Sequence, residues 1–381
     1  MTIPENVTIT RIDAAVLEGT RPRIIGRNSH IDVHGRVASD PVVRLHTDQG
    51  VTGWGWSRAT ADDAEFLAGK RLHEVFDAAH GTADDYLAFD FPLWDLAGRV
   101  LGRPVHGMLG DGGGNPVPVY DGTIYIDEVD AGTGRDDGLA PMLSAVRMGL
   151  DAGYHAFKVK VGRGFKWMEN RAGMRRDIDV LYAIRDLIGP DMKLLIDANN
   201  GYTPAEARQV MREAGECGIY WFEEPFREDM YESVALRSFI REGGWDTLVA
   251  DGEGSEAQDA EFTGIVRAGG IDVVQFDMRQ YTLTRWMRYM TVIAETGALT
   301  APHNFGSHLS GFYIPQFARG TAHFTTGETD IMTMPGVAAD GYALVDGMRT
   351  VPDTPGFGLE LDDAAFETAR RERGGWMVES G

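Results

Sequence analysis

The sequence has little cysteine, little positive charge and no long apolar run. Cys217 is the only cysteine among 381 residues, so no intrachain disulfide can form, which is typical of a reducing compartment. Cys217 precedes a predicted buried strand, and we expect an inert core thiol there. The first residues show no basic segment followed by an apolar one, and no apolar run approaches membrane-spanning length. These absences predict a soluble cytoplasmic protein with no membrane partner.

Basic residues are outnumbered by acidic ones. The chain has 36 Lys and Arg against 58 Asp and Glu, a formal net charge of −22. A nucleic-acid partner would require a basic stripe, so the charge argues against one. An acidic chain is suited to holding divalent cations on carboxylates. A hydrophobic content of 43% is typical of a globular protein, and the length allows one large α/β domain beside a smaller one.

The pattern of residues 1–116 predicts a first domain of the α+β class. Strand-like alternation occurs at 7–12, 41–47 and 50–56, and a helical pattern follows at 84–101. A glycine-rich dinucleotide fingerprint directly after a strand is missing. The glycines of 110–115 follow a helix instead, and we interpret them as a linker between domains.

From residue 117 the pattern changes to short apolar runs that alternate with amphipathic stretches. Eight such units over 117–345 predict a (β/α)₈-type TIM barrel, with a modified last unit as a variant and a doubly wound open sheet as the alternative. Residues 346–381 are predicted to return to the first domain. The predicted strands are 117–126, 156–161, 192–197, 219–223, 247–251, 271–275, 298–302 and 322–326, and the predicted helices are 139–153, 168–188, 204–217, 229–242, 256–267, 281–296 and 309–319.

Polar residues follow the predicted strands at the ends where TIM barrels carry their functional groups. In chain order these residues are Lys158, Lys160, Asp197, Glu223, Glu253, Asp277, His303 and Glu328. Three carboxylates on successive strand ends repel one another unless a cation lies among them, and oxygen ligands favour Mg²⁺. Each carboxylate also has an ordinary structural interpretation: Asp197 as a helix cap, Glu223 as a first-turn acid, and Asp251 with Gly252 as a turn.

Lys158 and Lys160 flank a single valine in one strand. Residues two apart point to the same face, so the two ammonium groups are neighbours. One interpretation is an exposed strand with a wet face. The other is an anionic group facing both lysines, which the carboxylates on the next strands would supply.

The order of these motifs resembles the enolase superfamily, in its mandelate racemase subgroup. The resemblance rests on Lys-x-Lys at 158–160, Asp-x-Asn at 197–199, Glu-Glu-Pro at 223–225 and Gly-Glu at 252–253, followed by Asp277 and His303. The stretch PLWDLAGRVLGRPVHGMLG at 92–110 also resembles the helix that closes that family's N-terminal capping domain. The resemblance covers nearly the whole chain.

The resemblance implies a metal centre. Asp197, Glu223 and Glu253 would be the Mg²⁺ ligands, and Asn199 would support them. Glu223 is preferred over Glu224 because the first glutamate of the Glu-Glu-Pro motif is the ligand in the family.

The resemblance also implies acid/base groups on two faces of a substrate. Lys160 would be a general base on one face, and His303, paired with Asp277, an acid/base on the other. Lys158 would face the substrate carboxylate, and Glu328 would hydrogen-bond the developing enediolate as a neutral acid. Because a second ammonium and a divalent cation both disfavour a charged lysine, we expect the pKa of Lys160 to be lowered.

The chain departs from the family pattern after two strands. His308 follows His303 by five residues and competes for its role, although His303 comes directly after the strand. The stretch MRQYTLT after Asp277 lacks the glycine pair that is common in relatives, which adds Arg279 to the candidate site residues.

Substrate specificity is expected from loops of the first domain, as in relatives. The stretch RPRIIGRNSHIDVHGR predicts a polar lid, with Arg21, Arg23 and His30 as candidate substrate-binding residues. Trp56 supplies a second wall or packs into the core of the first domain. A solvated basic loop is the alternative interpretation of the lid.

The leading hypothesis is an acid-sugar dehydratase, a lyase that removes an α-proton and eliminates the β-hydroxyl to give a 2-keto-3-deoxy acid. A racemase or epimerase of a 2-hydroxy acid on the same site is the alternative, and a cycloisomerase or dipeptide epimerase is less favoured. A non-catalytic metal-binding barrel is the alternative of another class. The expected partners are a small hydroxylated carboxylate and further copies of the chain in a homo-oligomer.

Overall fold

The computed structural model describes residues 2–110, 112–130, 132–254 and 260–381. The first part of the chain is a small antiparallel sheet covered by helices. The strands of this sheet run in the order β20, β1, β2, β3, where β20 comes from the other end of the chain. The elements are β1 (Ile9–Ile25), β2 (Gly35–Thr47), β3 (Thr52–Trp56), α1 (Ala61–Leu67), α2 (Leu72–Val75), β4 (Phe76–Asp77), β5 (Gly81–Thr82), a 3₁₀ helix (Asp84–Phe89), α3 (Asp90–Leu101) and α4 (Val105–Leu109).

Strand β1 is much longer than the predicted 7–12. It pairs with β2 from Ile9 to Ile25, with a register shift after Thr20. The arginine-rich segment that we expected to be a lid loop is therefore partly strand, and only residues 26–34 connect β1 to β2. The sequence pattern does not predict the second half of β1, because polar residues interrupt the apolar alternation there. The backbone nevertheless continues to pair with β2.

The second part of the chain is a parallel barrel surrounded by helices. The first to eighth barrel strands are β6, β9, β10, β11, β12, β13, β14 and β15. The elements are β6 (Val117–Ile124), β7 (Val129–Asp130), β8 (Arg135–Asp136), α5 (Ala140–Asp151), β9 (Ala156–Lys160), α6 (Arg163–Lys166), α7 (Asn170–Ile188), β10 (Lys193–Asp197), α8 (Pro204–Ala214), a 3₁₀ helix (Gly215–Cys217), β11 (Ile219–Glu223), α9 (Met230–Glu242), β12 (Leu248–Asp251), α10 (Ala260–Arg267), β13 (Val273–Val274), α11 (Met278–Tyr281), α12 (Leu283–Thr296), β14 (Leu299–Thr300), α13 (Ser310–Gly320) and β15 (Gly327–Thr329).

The barrel closes between its first and last strands. Strand β15 pairs in parallel with β6, and a bridge between Thr300 and Phe324 joins the seventh strand to the segment before β15. The prediction of a strand at 322–326 was wrong, because His323 has a left-handed φ of 66° that an extended strand does not allow. The predicted start of the helix at 256–267 falls partly outside the described residues. The fold confirms the TIM barrel and excludes the open-sheet alternative.

Buried side chains fill the barrel below the strand ends. Tyr120 and Trp221 meet edge to face, with ring centroids 5.2 Å apart. Five smaller residues from other barrel strands pack with them: Ala156, Leu195, Ala250, Val273 and Ala301. This apolar layer fills the barrel interior beneath the polar residues at the strand ends, so the site opens toward the carboxyl ends of the strands.

The last residues add small strands and one helix. Strand β18 pairs with the barrel strand β6, and β20 pairs with β1 at the edge of the first sheet. Within the described part of the chain, no helix combines the length and apolarity needed to cross a bilayer. The remaining elements are β16 (Val337–Ala338), β17 (Leu344–Val345), β18 (Met348–Arg349), β19 (Glu360–Leu361), α14 (Asp363–Glu372) and β20 (Met377–Glu379).

Candidate active site

Three carboxylates converge at the carboxyl ends of the third, fourth and fifth barrel strands. Asp197 and Glu223 are the last residues of β10 and β11 and lie opposite each other in the ladder. Glu253 follows β12 by two residues. One oxygen from each residue lies within 4.8 Å of the others. We call these three residues the carboxylate cluster.

The alternative interpretations of two of these acids are wrong. The helix after Asp197 is capped by Thr203, whose side chain accepts a hydrogen bond from the Glu206 amide. The helix after Glu223 begins at Met230 and is capped by Asp229. Asp197 is therefore not a helix cap, and Glu223 is not in the first turn of a helix; both are almost fully buried.

Neighbouring donors hold the carboxylates in place. The Asn199 amide donates to Asp197 Oδ1 at 2.8 Å, and Asn199 Nδ2 donates to Glu253 Oε1 at 3.0 Å. Glu223 Oε2 accepts hydrogen bonds from Trp221 Nε1 and Gln275 Nε2, both at 3.0 Å. Sequence reasoning missed Trp221 and Gln275. The available signal was their position: Trp221 shares a strand face with Glu223, and Gln275 interrupts an apolar run.

The two lysines of β9 face the cluster and are buried. Lys158 Nζ lies 2.8 Å from Glu223 Oε1, 2.9 Å from Glu328 Oε1 and 3.5 Å from Asp197 Oδ2. Lys160 Nζ is ion-paired with Asp197 Oδ2. The exposed-strand interpretation of these lysines is wrong, and the anionic group that faces them is the carboxylate cluster.

The protein groups around Lys160 shift its pKa upward, whereas the predicted downward shift includes a divalent cation. Burial and the charge of Lys158 lower the pKa of Lys160, but Asp197 and Tyr125 raise it more, and the net shift is upward. The predicted shift rests on the second ammonium and a divalent cation, and it does not include the ion pair with Asp197. A divalent cation that drew Asp197 away from Lys160 would remove the main upward cause.

The carboxylate cluster fits a hard divalent cation. All its donors are carboxylate oxygens, the set that Mg²⁺ prefers. Burial, followed by the negative charge of Asp197, raises the pKa of Glu223 to about 8, so the cluster lacks enough positive charge to keep every carboxyl ionised. Among the described atoms, the buried Asn199 Oδ1 has no hydrogen-bond partner. A cation bound by the three carboxylates would supply the missing positive charge.

A histidine–aspartate pair stands on the other side of the cluster. His303 Nδ1 lies 3.0 Å from Asp277 Oδ2, and His303 Nε2 lies 2.7 Å from Glu253 Oε2. Asp277 Oδ1 accepts the amides of Arg279 and Gln280, each at 3.0 Å. Asp277 thus fixes the proton on Nδ1 and leaves Nε2 directed at the cluster.

The charges around His303 favour its protonated form. Burial alone would lower the pKa of His303. The negative charges of Glu253 and Glu328 and the hydrogen bond to Asp277 together outweigh burial and raise the pKa to about 10. Glu328 is part of β15 rather than beyond it. Its Oε2 accepts the Asn304 amide at 2.8 Å, and its Oε1 is paired with Lys158.

His308 and Arg279 lie outside the cluster. The His308 ring packs edge-on against Phe312, with centroids 5.0 Å apart, and burial lowers its pKa to about 4. Arg279 Nη2 donates to the Phe305 carbonyl at 2.7 Å and to Asp277 Oδ2 at 3.2 Å. Arg279 therefore helps to hold the Asp277 carboxylate in position. Trp56 is buried at the end of β3, with the Arg279 guanidinium 5.9 Å from its ring.

The candidate lid residues take different positions. Arg21 is buried, donates from Nε to Asp330 Oδ2 at 2.8 Å and lies over the ring of Phe305. Arg23 donates to Asp127 Oδ2 at 2.8 Å. His30 is exposed and packs on Phe165, with centroids 4.2 Å apart.

Aromatic side chains cover Lys160. Its ammonium lies 5.1 Å from the centre of the Tyr125 ring, and the ring of His34 meets both Tyr125 and Phe305 edge to face. His34 comes from residues 26–34, which connect β1 to β2. Sequence reasoning did not identify Tyr125 or Phe305, because pairing across two parts of the chain leaves no local pattern.

The chain belongs to the enolase superfamily. The sequence model of the family described as Enolase C-terminal domain-like matches residues 142–365, which include the whole carboxylate cluster. The fold, a parallel barrel with an α+β cap, agrees with this assignment. Its relatives include dehydratases, cycloisomerases and an epimerase, so the family is one of enzymes.

Three relatives illustrate the range of reactions. The D-galactarolactone cycloisomerase of Agrobacterium fabrum is 29% identical and aligns over 86% of this chain and 90% of its own. The crystal structure of a galacturonate dehydratase from a Geobacillus species, complexed with D-galacturonate and 5-keto-4-deoxy-D-galacturonate, is 30% identical with a TM-score of 0.90, covering 98% of this chain and 100% of that one. A mandelate racemase/muconate lactonizing protein of Geobacillus sp. Y412MC10, complexed with magnesium and tartrate, is 30% identical with a TM-score of 0.91, covering 99% and 98%.

Proposed function

We propose that this protein is a Mg²⁺-dependent acid-sugar dehydratase. The observation that carries the proposal is the placement of two acid/base groups on opposite sides of one cluster. Lys160 contacts Asp197, and His303 contacts Glu253, with Glu223 between these carboxylates on the intervening strand. A substrate carboxylate bound at the cluster would present its α-carbon between the two groups.

Asp197, Glu223 and Glu253 would hold the Mg²⁺ ion. When bound, the ion supplies positive charge that acidifies the proton α to the substrate carboxylate. Lys158, which is shared between Glu223 and Glu328, would add a second positive charge on the same side. These groups explain why two lysines face one way in β9.

The reaction needs one base and one acid. One of Lys160 and His303 removes the α-proton, and the electron pair of that C–H bond forms a C=C bond. The C–O bond of the β-hydroxyl breaks, and the other group donates a proton so that water leaves. The resulting enol tautomerises to a 2-keto-3-deoxy acid. Asp277 keeps the Nε2 atom of His303 directed toward the substrate.

A racemase or epimerase is the second candidate, because the site has an acid/base group on each side. Two acid/base groups on opposite sides of the α-carbon can remove a proton from one face and return one to the other. A relative of 29% identity acts as a cycloisomerase, so isomerase chemistry also occurs among similar chains. A non-catalytic metal-binding barrel is disfavoured, because both acid/base groups contact the carboxylate cluster.

The domain division, location and assembly of the protein are also proposals. We propose a division into 1–116, 117–345 and 346–381 as the capping domain, the barrel and the returning segment. A cytoplasmic location and a homo-oligomeric assembly are likewise predictions that await measurement.

The experiment is incubation with MgCl₂ in D₂O, followed by proton NMR. The substrates are D-galacturonate and separate pools of uronic, aldonic and aldaric acids. New methylene signals of a deoxy-keto acid support the dehydratase and identify its substrate. Loss of the α-proton signal without elimination supports the epimerase instead. No change with any acid contradicts both.

A further inference from the structure

We propose that Ser29 is a positioning residue that couples docking of the connection at 26–34 to the metal-binding turn at 197–201. We call these segments the cap loop and the ligand turn. The proposal rests on the proposed function, because it takes the carboxylate cluster as the Mg²⁺ site. It adds a residue from the first domain that contacts neither metal nor substrate.

Ser29 is fully buried between the cap loop and the barrel. Its hydroxyl is shared between two carbonyls of the ligand turn, Ala198 O at 2.8 Å and Asn199 O at 3.1 Å. Both carbonyls belong to residues that directly follow Asp197. The hydroxyl therefore ties the first domain to the backbone that carries the first metal ligand.

The ligand turn has two faces. On its inner face, the Asn199 amide holds Asp197 Oδ1 at 2.8 Å, and the Asn200 amide donates to the Glu224 carbonyl at 2.7 Å. On its outer face lie the carbonyls that Ser29 binds. Asn199 and Asn200 have φ values of 43° and 60°, a left-handed conformation that asparagine adopts more readily than most other side-chain-bearing residues. The Gly201 amide closes the turn by donating to the Ala198 carbonyl at 2.8 Å, and Ser29 adds a contact from the first domain to the same carbonyl.

Two glycines make room for Ser29. A Cβ atom at Gly201 would lie 2.7 Å from the Ser29 Cβ, and one at Gly162 would lie 3.0 Å from it. Gly162 also has a φ of 89°. The barrel loops after the second and third strands therefore approach Ser29 closely, and a Cβ atom at Gly201 would also lie 2.8 Å from the Ala198 carbonyl oxygen.

The rest of the cap loop is fixed to other barrel loops. Trp167 Nε1 donates to the Asn28 carbonyl at 2.6 Å, and Lys166 Nζ donates to the His30 carbonyl at 2.8 Å. Arg27 Nη1 donates to the Val129 carbonyl at 2.9 Å. These bonds keep the cap loop at the barrel mouth, and Ser29 extends its contacts to the ligand turn.

Two sites joined by such a contact influence each other equally. If Mg²⁺ fixes Asp197 and with it the ligand turn, the carbonyls stay in place for Ser29 and the cap loop docks more firmly. By linkage, a docked cap loop strengthens Mg²⁺ binding by the same factor. Metal and lid would therefore assemble together.

The first test uses the wild-type protein and MgCl₂ alone. Hydrogen exchange of the cap-loop amides is measured by mass spectrometry with and without the ion. The His30 and Ile31 amides, which donate to Asn28 Oδ1, should exchange more slowly when Mg²⁺ is bound. Equal rates in the two conditions overturn the proposal without any variant.

The second test compares Ser29→Ala with Thr247→Val by calorimetric titration with MgCl₂. Thr247 is a matched control, because its buried hydroxyl also donates to a carbonyl, that of Ile219 at 2.8 Å, at the opposite end of the barrel. We expect Ser29→Ala to weaken Mg²⁺ binding about five-fold, the lower end for coupled sites, and to remove the Mg²⁺ effect on exchange. Unchanged affinity, or an equal loss in Thr247→Val, overturns the coupling.

Failure of this proposal is distinguishable from failure of the proposed function. If no sugar acid reacts but Mg²⁺ still slows exchange in the cap loop, the coupling stands and the dehydratase assignment fails. If acids are dehydrated but Ser29→Ala binds Mg²⁺ like the wild type, the reverse holds.

Discussion

Replacing Asp277 by asparagine should change the orientation and tautomer of His303 while leaving the carboxylate cluster intact. The two amide bonds that Asp277 Oδ1 accepts, from Arg279 and Gln280, can be kept by the asparagine oxygen. The second atom of the side chain then becomes an NH₂ group facing His303 Nδ1, 3.0 Å away. An NH₂ group cannot accept the Nδ1 proton, so the imidazole must shift its proton to Nε2.

The magnitude follows from that change of tautomer. With its proton on Nε2, neutral His303 cannot accept a proton from the substrate side, and the charged form loses the carboxylate that stabilises it. Loss of one positioned acid/base typically costs about 10²–10⁴-fold in rate. We expect a fall of kcat in that range, with Mg²⁺ affinity within about two-fold of wild type, because Asp277 contacts His303, the Arg279 guanidinium and backbone amides rather than the cluster.

The assay is turnover of the acid identified by NMR, with Mg²⁺ titrated separately. Asp362→Asn is the matched control, since Asp362 also caps a helix, accepting the Ala365 amide at 2.7 Å, but is exposed and distant in sequence from the site. The reasoning is refuted if Asp277→Asn keeps more than about half of the wild-type kcat, or if the control loses as much.

Three further predictions concern the metal, a buried ion triad and acid stability. Mg²⁺ at one hundred times its Kd should raise the free energy of unfolding by about 2.7 kcal/mol, seen as a higher Tm in calorimetry; an unchanged Tm would contradict binding at the cluster. Arg163→Met leaves the buried Glu128 and Asp177 without their shared partner and should cost about 3–5 kcal/mol in urea unfolding; a cost under about 1 kcal/mol would contradict that role. Burial lowers the pKa of His308 from 6.5 to about 4 in the folded protein. The unfolded chain therefore binds this proton at a higher pH than the folded protein does, and the free energy of unfolding decreases as pH falls from 6.5 toward 4. His308→Asn should therefore lose less unfolding free energy than wild type across that window in urea titrations, and equal losses would contradict it.

The barrel could be predicted because its signal is local. Each parallel strand is a short apolar run between amphipathic helices, so seven of the eight predicted strand positions coincide with barrel strands in the structure. The eighth was misplaced because its position depends on closure with β6, a pairing between residues about two hundred positions apart in sequence. The long β1 was missed for a similar reason, since its second half is defined by its partner strand.

The candidate site divides in the same way. The carboxylate cluster and the lysines could be found because strand ends of a barrel share one face. The support that Trp221 and Gln275 give to Glu223, and the cover that His34 and Tyr125 form, depend on side-chain packing between distant segments. Burial lowers the pKa of Lys160 and its ion pair with Asp197 raises it, whereas the lowered pKa that the sequence predicts includes a divalent cation and stays a prediction.

The central claim is that Lys160 and His303 act on opposite sides of an α-carbon above a Mg²⁺ cluster. The most direct measurement is dehydration and α-proton exchange in D₂O by wild type, Lys160→Ala and His303→Asn, each with and without MgCl₂. The account predicts Mg²⁺-dependent product formation by the wild type and loss of elimination in each variant, with both variants still binding Mg²⁺. Elimination at the wild-type rate in either variant would contradict the account.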